Sequence, residues 1–253
     1  ILVNDASTEK NDINFSGIEK INSIKMINMK HNQGHARCIA TGLKYISDKE
    51  EFDYVIPMDG DGEDRPKEIE KFVEFLKFDN TKPIVGERIK RSEGLVFKIS
   101  YTIHKLITFI FAGQSIKFGN FTCLPRSTVE KMINEKSTWS SFSGSLAKLE
   151  KNRSTISSIR GERYFGPSKM SFFNLIKHSL SIIAVFKMNV IIRSVLFFLI
   201  YIFLMSENLN YVTSIPLIAV LALVISVLAI SKRENIDELN DSLSNIENIE
   251  EIK

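Results

Sequence analysis

The sequence has only two cysteines, Cys38 and Cys123, among its 253 residues. So few thiols exclude a disulfide framework for a domain of this size and indicate a reducing compartment. A hydrophobic fraction of 44% with 25% charged residues excludes a wholly disordered chain. The chain opens at Ile1 with neither an initiator methionine nor a signal-peptide pattern, so we expect that its natural start is missing.

Charge is almost absent from two stretches near the C-terminus. The 24 residues between Glu207 and Lys232 carry no charge, and the 19 residues between Lys187 and Glu207 carry only Arg193. Each stretch is close to the roughly 20 residues that cross a bilayer. Basic residues flank the outer ends, and the connector 206–211 has none. The positive-inside rule therefore predicts two transmembrane helices in 188–231, in the inner or plasma membrane, with both ends cytoplasmic.

Two further apolar stretches, 95–112 and 169–187, are interrupted by Lys and His. Both are predicted as helices that either pack in a core or lie in the membrane interface with their basic residues toward headgroups. Since 169–187 runs directly into the first predicted span, we interpret it as an interfacial amphipathic helix.

The segment 232–253 is predicted to be an acidic cytoplasmic tail. From Glu234 onward it holds seven acids and one base, so the overall charge of +3 conceals about +9 on residues 1–233. That basic body suits an anionic membrane surface or phosphate ligands. Apolar residues recur every three or four positions from Ile236 to Ile249, which indicates a short amphipathic helix and leaves homo-oligomerisation open.

Short apolar strands alternate with helical patterns in the first ninety residues, for example at 1–3, 34–47, 54–58 and 66–76. This alternation predicts an α/β fold with a mostly parallel sheet, in which ligands gather at the carboxyl ends of the strands. Asp5 and the acidic cluster 59–64 both follow such strands.

The stretch YVIPMDGDGEDRPKEI carries the strongest chemical signal. A strand delivers Asp59 and Asp61 to its end, while Gly60 and Gly62 leave room for a bulky ligand. Such carboxylates can hold a hard divalent cation together with water and phosphate oxygens. A calcium-binding helix-loop-helix is disfavoured, because Asp64 stands where that loop needs glycine and a strand precedes it.

Several motifs resemble family 2 glycosyltransferases. These are VNDASTE, NQGHARCIATGL and MDGDGEDRPKEI, followed by VGERIKRSEG, GNFTCLPRSTVEKM and RYFGPSKMSFFNLI ahead of the two apolar stretches. The later motifs are similar to the branch that includes dolichyl-phosphate mannosyltransferase and bacterial polyprenyl-phosphate glycosyltransferases. The resemblance covers roughly residues 1–233. It implies a Rossmann-like, A-type glycosyltransferase fold, with the catalytic domain at 1–168.

The resemblance also implies a donor site for a nucleotide diphosphate sugar. Asp5 matches the acid that binds the nucleotide base, and Asn32 and Gly34 match the Asn-x-Gly motif. Asp59 and Asp61 would hold Mg²⁺ or Mn²⁺ against the diphosphate, and Glu63 would be a third metal ligand.

Basic motif residues are implied to act on the phosphates. Arg88 matches Gly-x-Arg, whereas Arg163, Ser168 and Lys169 match Arg-x-x-Gly-x-Ser-Lys. Arg88, Arg163 and Lys169 would clamp phosphates during catalysis, and Ser168 would help to bind the nucleotide sugar.

Two departures from the family pattern bear on stability and on the acceptor. The first strand with its Pro-x-Tyr-Asn-Glu loop is absent, and 117–120 lacks an acid that many relatives carry. Sugar-hydroxyl acceptors need a carboxylate base, whereas a lipid monophosphate is already mostly dianionic at pH 7. Since 137–149 contains no carboxylate, a polyprenyl phosphate acceptor is favoured.

Alternatives stay open at this point. The acceptor could be a glycan or another lipid, or the chain could be a catalytically inactive membrane scaffold. Nucleic-acid binding is not expected, because the basic residues are not interleaved with aromatic ones in a compact pattern.

Overall fold

The computed structural model describes residues 1–8, 19–90, 102–103, 105–164, 166 and 171–253. The described strands form two sheets. In the first, β1 (Leu2–Asn4) pairs in parallel with β2 (Lys25–Met29), and β2 pairs antiparallel with the last strand, β7 (Ile246–Glu251).

The second sheet has the order β3-β5-β4-β6. Its strands are β3 (Tyr54–Val55), β4 (Ile84–Lys90), β5 (Phe118–Pro125) and β6 (Ser154–Ile159). β5 runs antiparallel to both of its neighbours, and β4 and β6 are parallel. The predicted mostly parallel sheet is therefore wrong. Both sheets are mixed, because β5 and β7 each enter against the direction of their neighbours.

Helices cover both faces of the second sheet. On one face, α1 (His35–Lys49), α3 (Arg126–Ile133) and α4 (Phe142–Leu149) form a core around Leu124. On the other face, α2 (Ile69–Leu76) follows a 3-10 turn at Pro66–Glu68 and buries Phe72 against β4 and β5. Because β3 and β4 both run antiparallel to β5, and β6 runs parallel to β4, the carboxyl ends of β3, β4 and β6 lie at the same edge of the sheet.

The last third of the chain contains α5 (Phe172–Ala184), α6 (Lys187–Met205) and α7 (Ile215–Ser231). α6 and α7 belong to helices that are long and apolar enough to cross a membrane, judged by length and composition. The connector is closed by a hydrogen bond from the Tyr201 hydroxyl to the Thr213 carbonyl, at 2.7 Å. These observations give weak support to membrane association. The hairpin crossing and its orientation stay predictions.

The two predicted interfacial stretches are partly described. Residues 95–101, 104 and 169–170 lie outside the described part. A π-helical turn spans Thr108–Ala112 and continues a helical stretch that includes 105–107. Ile103, Leu106, Phe109 and Ile110 are exposed there, as is Phe173 on α5. The prediction that 169–187 is helical is confirmed for Phe172–Ala184.

The tail departs most from expectation. The amphipathic helix is confirmed only for α8 (Ile236–Asn240), which is followed by a 3-10 turn at Ser242–Asn245 and then by β7. Its Leu239 is fully buried with Ala40 and Trp139. The tail is thus part of the first sheet's layer, although the domain boundaries drawn from sequence stay predictions.

Candidate active site

The acidic loop, residues 59–64, lies against the loop 160–164 that follows β6. Backbone N–H groups of Gly161 and Tyr164 donate to the carbonyls of Glu63 and Asp61, at 2.8 and 2.9 Å. A side chain at Gly161 would put its Cβ 2.4 Å from the Gly62 carbonyl oxygen. Gly62 itself has φ of +90° and faces the Tyr164 ring. The glycines therefore permit the close approach of the two loops.

This approach brings Arg163 to the predicted metal ligands. Arg163 Nη2 lies 3.0 Å from Asp61 Oδ2, and its Nε donates to Glu63 Oε1 at 3.1 Å. Arg160 also donates to Glu63. Arg163 thus pairs with both Asp61 and Glu63, and either carboxylate would have to exchange an arginine contact to bind a cation.

Asp59 has a different environment. Its Oδ1 atom is buried and makes no hydrogen bond within the described ranges, although His35 Nε2 lies 3.4 Å away. The Asn120 amide contacts the same His35 nitrogen. Among the described residues, no three His, Cys, Asp or Glu side chains converge into a metal site. The unpartnered Asp59 oxygen nevertheless fits a hard cation, which would supply the missing contact.

Asp64 organises the other side of the loop. The backbone N–H of Asp59 donates to Asp64 Oδ2 at 3.0 Å, and Arg88 Nη2 lies 3.5 Å from Asp64 Oδ1. Burial raises the pKa of Asp64. The hydrogen bond from Asp59 N–H opposes that shift, the charges of Asp59 and Asp61 add to it, and Arg88 opposes it. Asp64 therefore links the predicted phosphate-binding Arg88 to the predicted metal-binding loop.

The three predicted donor-binding residues near the N-terminus also meet. Asp5 accepts hydrogen bonds from the backbone N–H groups of Gln33 and Gly34, at 3.0 and 2.9 Å. The Asn32 amide donates to the Asp5 carbonyl at 2.9 Å. Gly34, with φ of +92°, is the N-cap residue directly before α1. These contacts join the ends of β1 and β2, while nucleotide binding by these residues stays a prediction.

A sequence comparison decides the family. Residues 1–138 match the family described as glycosyl transferase family 2. The chain belongs to this family. No curated protein matches the chain. The family suggests a glycosyltransferase with a nucleotide-sugar donor and an acceptor. The matched residues include Asp5, the acidic loop and Arg88, whereas Arg163 lies beyond them.

Three polar residues of this glycosyltransferase were missed by sequence reasoning. His35 and Asn120 lie beside Asp59, and Asp64 holds Arg88. His35 is the first residue of α1, directly after the Asn-x-Gly motif, and that position was an available signal. Asp64 had no comparable signal, because its burial depends on packing against β4. Ser168 and Lys169 lie outside the described residues.

Proposed function

We propose that this glycosyltransferase is a membrane-anchored, inverting enzyme that moves a hexose from a nucleotide diphosphate sugar to a polyprenyl phosphate at the cytoplasmic face. The main support is the meeting of the acidic loop with Arg163 and, through Asp64, with Arg88. Opposite charges arranged in this way suit a ligand that carries both a cation and phosphates. The two apolar helices that follow suit a lipid acceptor.

In this proposal, Asp59 and Asp61 hold Mg²⁺ or Mn²⁺. When bound, the cation neutralises charge that develops on the departing nucleoside diphosphate. Arg163 now neutralises Asp61, so it is already placed beside the region where the diphosphate would bind. Arg88, held by Asp64, offers a planar fork that suits a phosphate.

The acceptor reacts without a protein base. An oxygen of the lipid phosphate attacks the anomeric carbon while the bond from that carbon to the donor diphosphate breaks, and the nucleoside diphosphate leaves. The second pKa of a phosphate monoester is about 6, so no proton has to be removed at pH 7. Glu135 and Glu150, the acids that flank the carboxylate-free segment 137–149, pair with Lys148 and Lys131, respectively. This pairing favours the phosphate acceptor over a sugar hydroxyl.

The test is Asp61→Ala in the detergent-solubilised full chain, with radiolabelled donor sugars and polyprenyl phosphate. We expect transfer to fall by at least roughly a hundredfold, because a metal ligand is lost. Asp53→Ala, which removes an exposed carboxylate just before the loop, is the matched control. Full activity of Asp61→Ala would contradict the metal assignment.

The acceptor and the inactive-scaffold alternative need separate measurements. A lipid product that is labile to mild acid identifies a phosphodiester-linked sugar, whereas exclusive transfer to a glycan would refute the lipid phosphate. Equilibrium binding of nucleotide sugars with and without Mn²⁺ tests the scaffold alternative, because a scaffold has no metal-dependent affinity for the donor.

A further inference from the structure

A polar pocket of about 230 Å³ lies on the second sheet, apart from the acidic loop. It is lined by Val85, Glu87, Ser115, Lys117, Phe118, Lys151, Arg153 and Thr155. Val85 and Glu87 alternate along β4 with Arg88, so the pocket and the Arg88 side chain lie on opposite faces of that strand. The pocket therefore does not belong to the proposed transfer site.

The pocket lies beside the bases of the apolar helices. Phe118, which forms one wall, packs in a cluster with Val190 of α6 and Val227 of α7. Ser115 follows the π-helical turn Thr108–Ala112 by three residues. That turn is tied to α6 by hydrogen bonds from Asn189 to the Ala112 carbonyl, at 3.0 Å, and from Arg193 to two further carbonyls.

The same turn indicates where a bilayer surface would lie. Its Phe109 and Ile110 side chains are exposed, and their carbonyls accept the hydrogen bonds from Arg193 of α6. Arg193 is six residues into α6, or about 9 Å along the helix from Lys187. An apolar turn at this level, followed at once by Ser115 and Lys117, places the pocket at the height of lipid headgroups if the helices span the membrane.

The charges of the pocket suit an anion. Lys117 is paired with Glu87 at 2.9 Å, so these two charges largely cancel. Lys151 is exposed, and Arg153 lies over the Phe118 ring at 5.2 Å while its Nη1 donates to the carbonyls of Ala147 and Glu150. Within the described ranges, neither Lys151 nor Arg153 forms an ion pair, and Glu150, which acts on Arg153 through its charge, is itself paired with Lys131. The pocket therefore carries a net positive charge.

Arg153 would gain most from an anionic ligand. Burial lowers the pKa of its guanidinium, with Glu150 opposing the shift. A guanidinium that has lost part of its hydration is stabilised by a phosphate oxygen, which its planar fork can bind. The hydroxyl groups of Ser115 and Thr155 can donate to the remaining oxygens.

We propose that this pocket binds the phosphate of an anionic phospholipid from the surrounding bilayer, at a site separate from sugar transfer. Lys151 and Arg153 provide the charge, and the apolar turn beside the pocket accommodates the acyl chains. The inference rests on the proposed membrane anchoring. In this proposal, the lipid composition of the membrane affects how the catalytic domain is held at the bilayer surface.

The test uses the purified full chain in a non-ionic detergent, without donor, metal or acceptor. Phosphatidylglycerol and phosphatidylcholine with the same acyl chains are added, and bound lipid is counted by native mass spectrometry. We expect phosphatidylglycerol to bind preferentially. Lys151→Glu should weaken its binding roughly tenfold, because one attraction is replaced by a repulsion. Lys151→Arg should retain it.

Lys77→Glu is the matched control, since Lys77 is exposed at the end of α2 on the other face of the sheet. Equal binding of the two lipids, wild-type affinity in Lys151→Glu, or displacement of the lipid by an equal concentration of inorganic phosphate would each overturn the proposal. Asp61→Ala should bind phosphatidylglycerol like the wild type. Failure here is thus distinguishable from failure of the transfer reaction.

Discussion

The chain has two strongly acidic segments, the loop 59–64 and the tail 234–253, and the structure uses them in different ways. The tail's acids make contacts within the fold. Glu238 accepts from the Trp139 indole at 2.6 Å and pairs with Arg37, and Glu234 pairs with Lys187. Asp59 in the loop and Glu234 in the tail each retain one buried oxygen without a hydrogen bond in the described part of the chain. The other oxygen of Glu234 pairs with Lys187 at 3.0 Å, whereas the unbonded oxygen of Asp59 lies 3.4 Å from the partly exposed His35.

This difference shows that a high content of acidic residues does not by itself distinguish a ligand-binding loop from a segment that packs against the rest of the fold. The tail carries apolar side chains that enter the core, Leu239 beside Trp139 and Leu243 beside Tyr45. The loop has glycines instead of such apolar side chains. Its acids form ion pairs with arginines of the loop 160–164, which is about 100 residues away in the sequence. We therefore expect tail substitutions to change stability and loop substitutions to change ligand binding.

The largest expected effect on stability is that of Leu239→Ala. Removing a fully buried leucine leaves a cavity and should lower the free energy of unfolding by about 3 kcal/mol. Denaturant titration in detergent can follow Trp139, which is the chain's single tryptophan and packs on Leu239. Leu209→Ala, in the connector between α6 and α7, is the exposed control. Equal stability of both variants would mean that the tail is not docked.

Asp59→Asn should do the opposite of Leu239→Ala, because it should weaken ligand binding and leave stability almost unchanged. We expect Mn²⁺-dependent donor binding to weaken by roughly a hundredfold, because an amide is a poorer ligand than a carboxylate for a hard cation. The free energy of unfolding should change by less than about 1 kcal/mol, since the substitution also removes a negative charge whose buried Oδ1 atom has no hydrogen bond in the described part of the chain. Titration of donor with and without Mn²⁺ measures the first effect, and the denaturant titration measures the second. A variant that loses stability but keeps metal-dependent donor binding would show that Asp59 contributes to folding, like the tail residues, and not to ligand binding.

The sequence predicted the local features of both segments better than the distant ones. The positions of α1, α2 and the acidic loop follow from nearby signals, namely apolar spacing, Pro66 and the Asp-Gly repeat. β7 could not be recognised in the same way, because its partner β2 lies more than 200 residues earlier in the chain. The spacing of Ile246 and Ile249 also suits a helix, and pairing with β2 overrides that preference.

The site shows the same limit. The acidic motif and the family resemblance pointed to Asp59, Asp61, Arg88 and Arg163, whose roles stay predictions. In the structure, Arg163 contacts Asp61 and Arg88 lies 3.5 Å from Asp64. The Asp64–Arg88 contact depends on packing between the acidic loop and β4. These two residues are 24 positions apart in the sequence, and no sequence pattern predicts a contact that arises only from tertiary packing.

Glu68 sharpens the comparison, because it lies four residues after Asp64 yet has an environment like that of the tail acids. It is buried and accepts hydrogen bonds from Lys71, from the Ser158 hydroxyl and from the Ile159 N–H. Burial acts to raise its pKa, but these hydrogen bonds outweigh burial, and the pKa lies below its usual value.

Glu68→Gln should therefore lower the free energy of unfolding by about 1–2 kcal/mol at pH 7, since hydrogen bonds to a charged acceptor are weakened. The lowered folded pKa means that the carboxylate stabilises the fold fully above the unfolded pKa, near 4.3, and loses that effect as the pH falls through the folded value. Denaturant titrations of both proteins from pH 7 to pH 3 should show the difference narrowing only below about pH 5. A difference that stays constant down to pH 3 would instead assign the loss to packing, and would separate Glu68 from the charged contacts of the tail.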